Sequence, residues 1–555
     1  MMNHAKLQET ITGLAQEIDA IADEKIKSIQ KTLLNIIELL FSENETLRKE
    51  NQHLRDENNR LKGEQGKPSI RKQSQSNHSS EKDRKPRGQQ SDSKKAKKKK
   101  KKPVIDRMEF CDIDPALLPE DARFKGYQSI TVQNMIIRTE TICFKKKVYY
   151  SRSLKKTFVA ELPLGYENGY SPSVKALIID LHQTHKMTES ALLAFCTNHG
   201  LDISSATISR MLTESAPFQA EKEAIVDAGL SSSTYQQMDD TGARVKGKNY
   251  VTHVLCNAFY TAFFTRRHKD RLTLLSILTR GDMQFVFNES AYALMEQMGL
   301  SAKQLQCLKD HVAVTAQVMN RQGIDALLQC LFPAAHRQCS NRQLILEASA
   351  ITAYEQLPHA VQILLVDDAP QFRQITKYLA LCWVHDGRHY KKLRPVVYLH
   401  QQLLENFLTR YWNYYHELLD YKMNPTPALA ETLEKSFDSL FSTITGYEAL
   451  DERIAKTKLK KESLLLVLKH PALPLHNNAS ELGARAQARY RDISFHTMSE
   501  AGTQAKDTFM TIVETAKKLT VNTYHYFYDR ISQTYAMPSL ASLIEEKSRG
   551  LAIIG

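Results

Sequence analysis

The chain has 555 residues, with 75 Lys and Arg against 62 Asp and Glu, a formal charge of +13. Against the ~100–200 residues of a typical domain, this length predicts several domains with at least one large core and excludes a small stapled module. The eight cysteines are scattered with no C-x-x-C pair, which argues for reduced intracellular thiols, and no apolar run approaches the ~20 residues that span a bilayer.

The opening stretch MMNHAKLQETITGL has no charged head followed by an apolar core, so the expected location is the cytoplasm, on the nucleoid. Residues 1–62 are expected to form a coiled-coil helix, because Leu33, Leu40, Leu47, Leu54 and Leu61 recur every seven positions. Position a then holds Ile37, Asn44, Asn51 and Asn58; the asparagines weaken the seam but pair best with their own copies in a parallel dimer. The competing expectation is one amphipathic helix packed on its own protein.

Residues 63–104 lose nearly all apolar side chains and carry Lys94, Lys95 and Lys97 to Lys102, eight of the surplus positive charges. Such a composition cannot repay the entropy of folding and predicts a disordered basic linker, with salt-sensitive, sequence-independent affinity for phosphates or merely a solubilising role. Residues 105–165 contain short alternating runs, ITVQNMIIRTETICF and KKVYYSRS, consistent with a small β-rich domain.

Residues 166–225 read as helices, with MTESALLAFC and SSATISRML hinged near Gly200 as a helix-turn-helix. Ser204 suits the N-cap of the second helix, and Ser205, Thr207, Ser209 and Arg210 are its candidate DNA-binding groups. Many helix pairs look like this without touching DNA.

Beyond Ser231, TYQQMDDTGARV and KNYVTHVLCNAFYTAFFTRRHKDR predict three consecutive antiparallel strands, with Asp239 and Asp240 at the end of the first. Carboxylates in a half-buried segment are costly unless they bind something positive, so a metal site is the economical reading. The run HAVQILLVDDAPQF reads as a buried strand delivering Asp367 and Asp368 at its tip. In LPLHNNASELGARAQARY, Asn477, Asn478 and Glu481 open a helix, with Arg485 one turn further along the same face. Two aspartates at strand ends and a glutamate on a helix supply hard oxygen ligands for two Mg²⁺ (or Mn²⁺) ions, suited to in-line displacement at phosphorus. Cys382, His385 and His389 have zinc-ligand chemistry but lack a fourth member.

These motifs together resemble the bacterial transposases of the insertion sequence 66 class. Asp239-Asp240-Thr241-Gly242 is similar to the family's D-E-T before a turn; Asp367 followed by Cys382-Trp383-Val384-His385 and Arg388 is similar to its second motif. His476-Asn477-Asn478-Ala479-Ser480-Glu481-Leu482 matches D-N-N-x-x-E-R at the asparagines and the glutamate, with both flanking charges replaced. KDTFMTIVETAKKLTVN looks like the family's closing helix, whereas the N-terminal zinc segment of many members has no counterpart in paired cysteines.

The resemblance implies a ribonuclease-H-like catalytic domain over residues 226–530, with helical inserts at about 285–358 and 370–470 and a C-terminal tail over 531–555. The fold class expected is thus multidomain α+β. The implied activity is DNA cleavage and strand transfer at the element's terminal inverted repeats. Asp239, Asp367 and Glu481 would be the catalytic metal ligands; Asp240, Asp368, Asn477 and Asn478 would orient ligands or phosphates; Arg388 and Arg485 would meet backbone or transition-state charge. Cys382, His385 and His389 become supporting residues. The expected partners are double-stranded DNA, further copies of the chain and accessory proteins of the element, with no membrane. The alternatives are a catalytically inactive, domesticated DNA-binding regulator and a non-transposing nuclease of the same fold.

Overall fold

The computed structural model describes residues 24–61, 105–113, 122–134, 137–166, 169–312, 317–333 and 339–552. The basic linker expected over 63–104 lies outside them. The chain is mixed α and β, and no helix among the described residues is long and apolar enough to cross a membrane.

Helix α1 (Glu24–Leu61) leads, followed by the hairpin β1 (Val148–Ser151) and β2 (Lys156–Val159). Four helices follow: α2 (Pro172–Gln183), α3 (Glu189–Asn198), α4 (Ser205–Thr213) and α5 (Ala216–Ser231). The central strands are β3 (Tyr235–Val245), β4 (Lys248–Cys256) and β5 (Thr261–Arg266). Next come α6 (Arg271–Leu278), β6 (Phe285–Val286), α7 (Glu289–Gln297), α8 (Ala302–Val312), β7 (Val318–Met319), α9 (Arg321–Leu331) and α10 (Cys339–Glu355). The sheet is completed by β8 (Ile363–Val366) and β9 (Tyr378–Leu381). Helices α11 (Trp383–Lys392), α12 (Tyr398–Met423), α13 (Pro427–Leu440), α14 (Glu448–Lys458), α15 (Lys461–Leu464) and α16 (Leu466–Lys469) come next. The chain then returns through α17 (Asn478–Ser494), α18 (Glu500–Leu519), α19 (Thr523–Ile531) and α20 (Leu540–Ala552).

The five-stranded sheet has the order β5-β4-β3-β8-β9, antiparallel through β5, β4 and β3 and parallel from β3 through β8 to β9. Lys246 and Gly247, both with positive φ, make the two-residue turn between β3 and β4, the geometry that suits the twist of a tight hairpin. All four residues of β8, Ile-Leu-Leu-Val, are buried, as a parallel strand covered on both faces requires.

The outer edge of β5 would be open to pairing, and α18 closes it. Asp507, Thr511 and Thr515 accept hydrogen bonds from the backbone N–H groups of Thr265, Phe263 and Thr261 at 2.6, 3.1 and 3.2 Å. One helical turn of four residues rises ~6 Å and two strand residues ~6.7 Å, so an i, i+4, i+8 row can track alternate strand amides. This protects the edge against another chain.

Several boundaries differ from expectation. Among the described residues of 105–165 only the β1–β2 ladder forms, and its strands are largely exposed; a two-stranded ribbon has no second layer against which to bury the alternating face. The boundary expected at 225 falls inside α5, and residues of α2 to α5 share one core with α18, α19 and α20. The expected tail over 531–555 contains α20, anchored by fully buried Leu540 and Ile544. Among the described residues of 285–358, the elements are helices but for the small β6–β7 ladder. The span 370–470 includes β9, which belongs to the central sheet, so the helical excursion begins after Leu381.

Within that excursion Trp383 is fully buried among Tyr411, Tyr414, Phe437 and Phe441 and donates its indole N–H to Leu464 O at 2.9 Å. Helix α1 docks on the same excursion. Leu34 is buried against Val397, and Glu38 accepts the N–H groups of Val396 and Val397 at 2.6 and 3.0 Å. Ile37, expected in a dimer seam, is packed in this intramolecular contact.

Candidate active site

Asp239 and Asp240 sit in the middle of β3 rather than at its end, because the β3–β4 hairpin runs on past the shorter parallel strand. The strand partner β8 stops at Val366, and its pairing of Gln237 with Leu365 brings Asp367 alongside Asp239 at the carboxyl edge of the parallel pair. Strand alternation turns Asp239 towards the face that α17 covers and Asp240 to the other. Glu481 projects from the first turn of α17. Gly483 lets this helix approach the sheet closely: a Cβ there would meet Val254 Cγ1 at 2.6 Å. Asn477 fastens the helix start, donating its Nδ2 to Met238 O at 3.1 Å, immediately before Asp239.

The three acids feel one another. Burial pushes the Asp239 carboxyl up; the N–H of Asp240, 2.8 Å from its Oδ1, pulls it back, and the charges of Asp367, Asp240 and Glu481 push it up again, to about 7. Asp367 is also raised, first by burial, although the Ala369 N–H and nearby His385 oppose this. Uncompensated negative charge here is what a cation would relieve. Glu481, however, is engaged elsewhere. Its Oε2 lies 3.1 Å from Arg388 Nη2 and its Oε1 3.5 Å from His385 Nδ1, while Arg388 Nη1 is 3.0 Å from His385 Nε2. Among the described residues, the compact group of metal-ligating types is Cys382, His385 and Glu481, whose ligand atoms lie within 4.8 Å of one another; the two aspartates and Glu481 do not close that tightly.

The other sequence candidates divide. Arg388 is at the site, bound to Glu481. Asn477 is fully buried and cannot touch a phosphate; it orients the helix that carries Glu481. Asn478 opens α17, and Arg485 lies half-buried one turn beyond Glu481. Asp240 accepts Gln371 Nε2 at 2.7 Å. Asp368 is not directed to a metal: it is paired with Lys460 at 2.5 Å and Arg373 at 3.0 Å. Burial raises the Asp368 carboxyl, but those two bonds outweigh it and hold it below the ordinary carboxylate range. His389 is outside the compact group.

Ser204 caps α4 as expected, accepting the Thr207 N–H at 3.2 Å. Ser205 and Arg210 are exposed and Thr207 and Ser209 half-buried. No described hydrogen bond or ion pair links these residues to the carboxylates.

Sequence reasoning missed two partners. Lys460 bridges Asp368 and buried Asp386, the latter at 3.4 Å and also bound by Arg453; a lysine among many on a polar helix end carries no signal of this. Gln371 was visible only as part of the segment after Asp367. A cationic rim also emerges. Exposed Arg244, Lys246, Lys248, Arg266, Arg267 and Lys269 lie at the sheet end towards which β3 and β8 run, because Val245 pairs with Lys248 and Val251 with Arg266.

No family model matches the chain. It is 31% identical over 336 residues to uncharacterized protein y4jO of Sinorhizobium fredii, an alignment covering 58% of this chain and 100% of that protein.

Proposed function

The chain belongs to the family of the Sinorhizobium fredii protein y4jO, and we propose that it is a DNA transposase that cleaves and joins DNA at the ends of its own element, acting as a homodimer or larger assembly. The observation that carries this reading is the raised pair Asp239 and Asp367, side by side where the parallel pairing of β3 with β8 ends, with Glu481 entering from a helix on the same face. A sheet of three antiparallel strands extended by two parallel ones supports the ribonuclease-H-like fold that the sequence motifs imply.

The donor set is all oxygen, which suits Mg²⁺ or Mn²⁺. Two such ions, when bound, would polarise the attacking and leaving oxygens of a phosphodiester. Asp239 and Asp367 would hold them, and Glu481 would join after exchanging its contacts with Arg388 and His385. Arg388, released, is placed to meet phosphate charge. The cationic rim beside the strand tips offers a path for the DNA backbone, and its affinity would fall with salt. The exposed residues Ser205 and Arg210 of α4 are the candidates for reading the element's ends.

The test is cleavage of labelled element ends in Mg²⁺ or Mn²⁺ by the full chain. Asp239→Asn, Asp367→Asn and Glu481→Gln should each lose about 10²–10³-fold in cleavage and strand transfer, on the scale at which electrostatic groups act, while still binding DNA. Variants cutting like the parent would refute the assignment of these ligands. Specific binding without cleavage by any form, parent included, would favour a DNA-binding regulator.

A further inference from the structure

We propose that Cys382, His385 and Glu481 form a binding site for a zinc-class divalent ion, and that this ion opposes catalysis by holding Glu481 away from Asp239 and Asp367; the inhibitory role rests on the transposase reading above. The ligand atoms of the three side chains lie within 4.8 Å of one another. Tetrahedral zinc bonds of ~2.3 Å to sulfur and ~2.0–2.2 Å to nitrogen and oxygen set ligand atoms ~3.3–3.7 Å apart, so the widest pair must draw in by about 1 Å, a movement that side-chain rotation of His385 and Glu481 supplies. Sulfur and imidazole nitrogen select such an ion over Mg²⁺, which favours oxygen.

The site is built from the sheet outward. Cys382 continues the β9 ladder, its N–H donating to Val366 O at 3.0 Å, and its Sγ accepts the Asn477 N–H at 3.2 Å, a bond that would also stabilise a thiolate. His385 follows in the first turn of α11, three residues on and on the same face. Its Nδ1 is buried, makes no hydrogen bond among the described residues and faces Glu481 Oε1 at 3.5 Å. Three protein ligands leave one coordination position for water or another small donor. Ligation through Nδ1 places the ring proton on Nε2, so Arg388 must leave that nitrogen; its side chain is 30% exposed and can turn towards solvent. The cysteine gives up its proton to solvent as the ion binds, with no change in oxidation state.

Glu481 cannot serve both sites at once. A zinc-class ion bound with nitrogen and sulfur would therefore win against a large excess of Mg²⁺ and keep the catalytic carboxylates apart.

The test uses the full chain freed of metal. Zn²⁺ is titrated against a chromophoric chelator, and Co²⁺ is substituted to read thiolate-to-metal charge transfer. The expected result is one tight ion per chain with a thiolate band. Cys382→Ser should abolish the band and weaken Zn²⁺ binding at least ~10-fold, His385→Asn should weaken it similarly, and Asp239→Asn should leave it unchanged. Micromolar Zn²⁺ should suppress Mg²⁺-dependent cleavage by the parent but not by Cys382→Ser. Absence of the thiolate band, or equal Zn²⁺ affinity in Cys382→Ser and the parent, overturns the site. Zn²⁺ binding there without suppression of cleavage overturns the inhibitory role. If the zinc-free parent cuts no DNA, the transposase reading and the inhibitory role both fall, while the Co²⁺ spectrum still decides the site.

Discussion

In the metal-free protein Asp239 keeps its proton to about pH 7, because burial first, and then three neighbouring acids, penalise its charge. A carboxyl raised in the folded state contributes stability that is fully present below its unfolded value near 4 and is lost as pH rises through about 7. Asp239→Asn removes that loss. In a chelator, the variant should therefore match the parent near pH 4 and exceed it by about 1–3 kcal/mol at pH 8, read from urea unfolding. An equal or less stable variant at pH 8 would mean that Asp239 is not charge-frustrated. Mg²⁺ uptake by the parent should release protons over the same interval, since the ligand binds ionised. Asp368, one residue from Asp367, behaves oppositely: its pairs with Lys460 and Arg373 commit it to the fold, which separates two adjacent carboxylates into a proposed ligand and a strut.

Helix α1 has two different halves. Its first half is bound to the helical excursion through Glu38 and through Asn35, which donates to Gly446 O at 3.1 Å and accepts the Glu448 N–H at 3.2 Å. From Ser42 onward its described side chains are almost all exposed. Burial by itself would raise the Glu38 carboxyl, but the bond to His400 and the N–H groups of Val397 and Val396 outweigh it and hold it below the usual range. That sign means the docking energy is present above the ordinary carboxylate value and is lost as pH falls through the lowered one. Glu38→Ala should weaken docking by about 1–3 kcal/mol at neutral pH, as for hydrogen bonds to a charged group. Hydrogen exchange over residues 24–41 should then quicken while the central sheet stays protected; unchanged exchange would show that Leu34 and its apolar neighbours suffice.

The leucine row on α1 extends the problem to the assembly. Leu33, Leu40, Leu47 and Leu54 are 53–63% exposed, an apolar stripe that a single copy leaves in water. A second α1 in parallel register would cover Leu40, Leu47 and Leu54 and pair Asn44 with Asn44 and Asn51 with Asn51. Because Ile37 already packs on its own protein, such a coil would begin at Leu40, about two turns later than the heptad pattern from Leu33 predicts. Leu40→Glu combined with Leu47→Glu should reduce the species seen by light scattering to a monomer without shifting the thermal unfolding of the central sheet. A parent that is already monomeric at assay concentration would refute the proposed assembly.

Local chemistry carried the three antiparallel strands, the buried ILLV strand, the Ser204 cap and the helix beginning at Asn478, because alternation, apolar runs and capping residues act over a few positions. The neighbourhood of Asp239 and Asp367 was legible for the same reason, each acid being attached to a strand with a strong pattern. The rest depended on contacts between residues distant in sequence. The role of Asp368 is set by Lys460, the edge of β5 by α18, the place of Glu481 by Arg388 and His385, and the division of α1 by Val397. Periodicity says which face of an element must be covered, but only the packed chain says by what, since burial is indifferent to which distant segment supplies it.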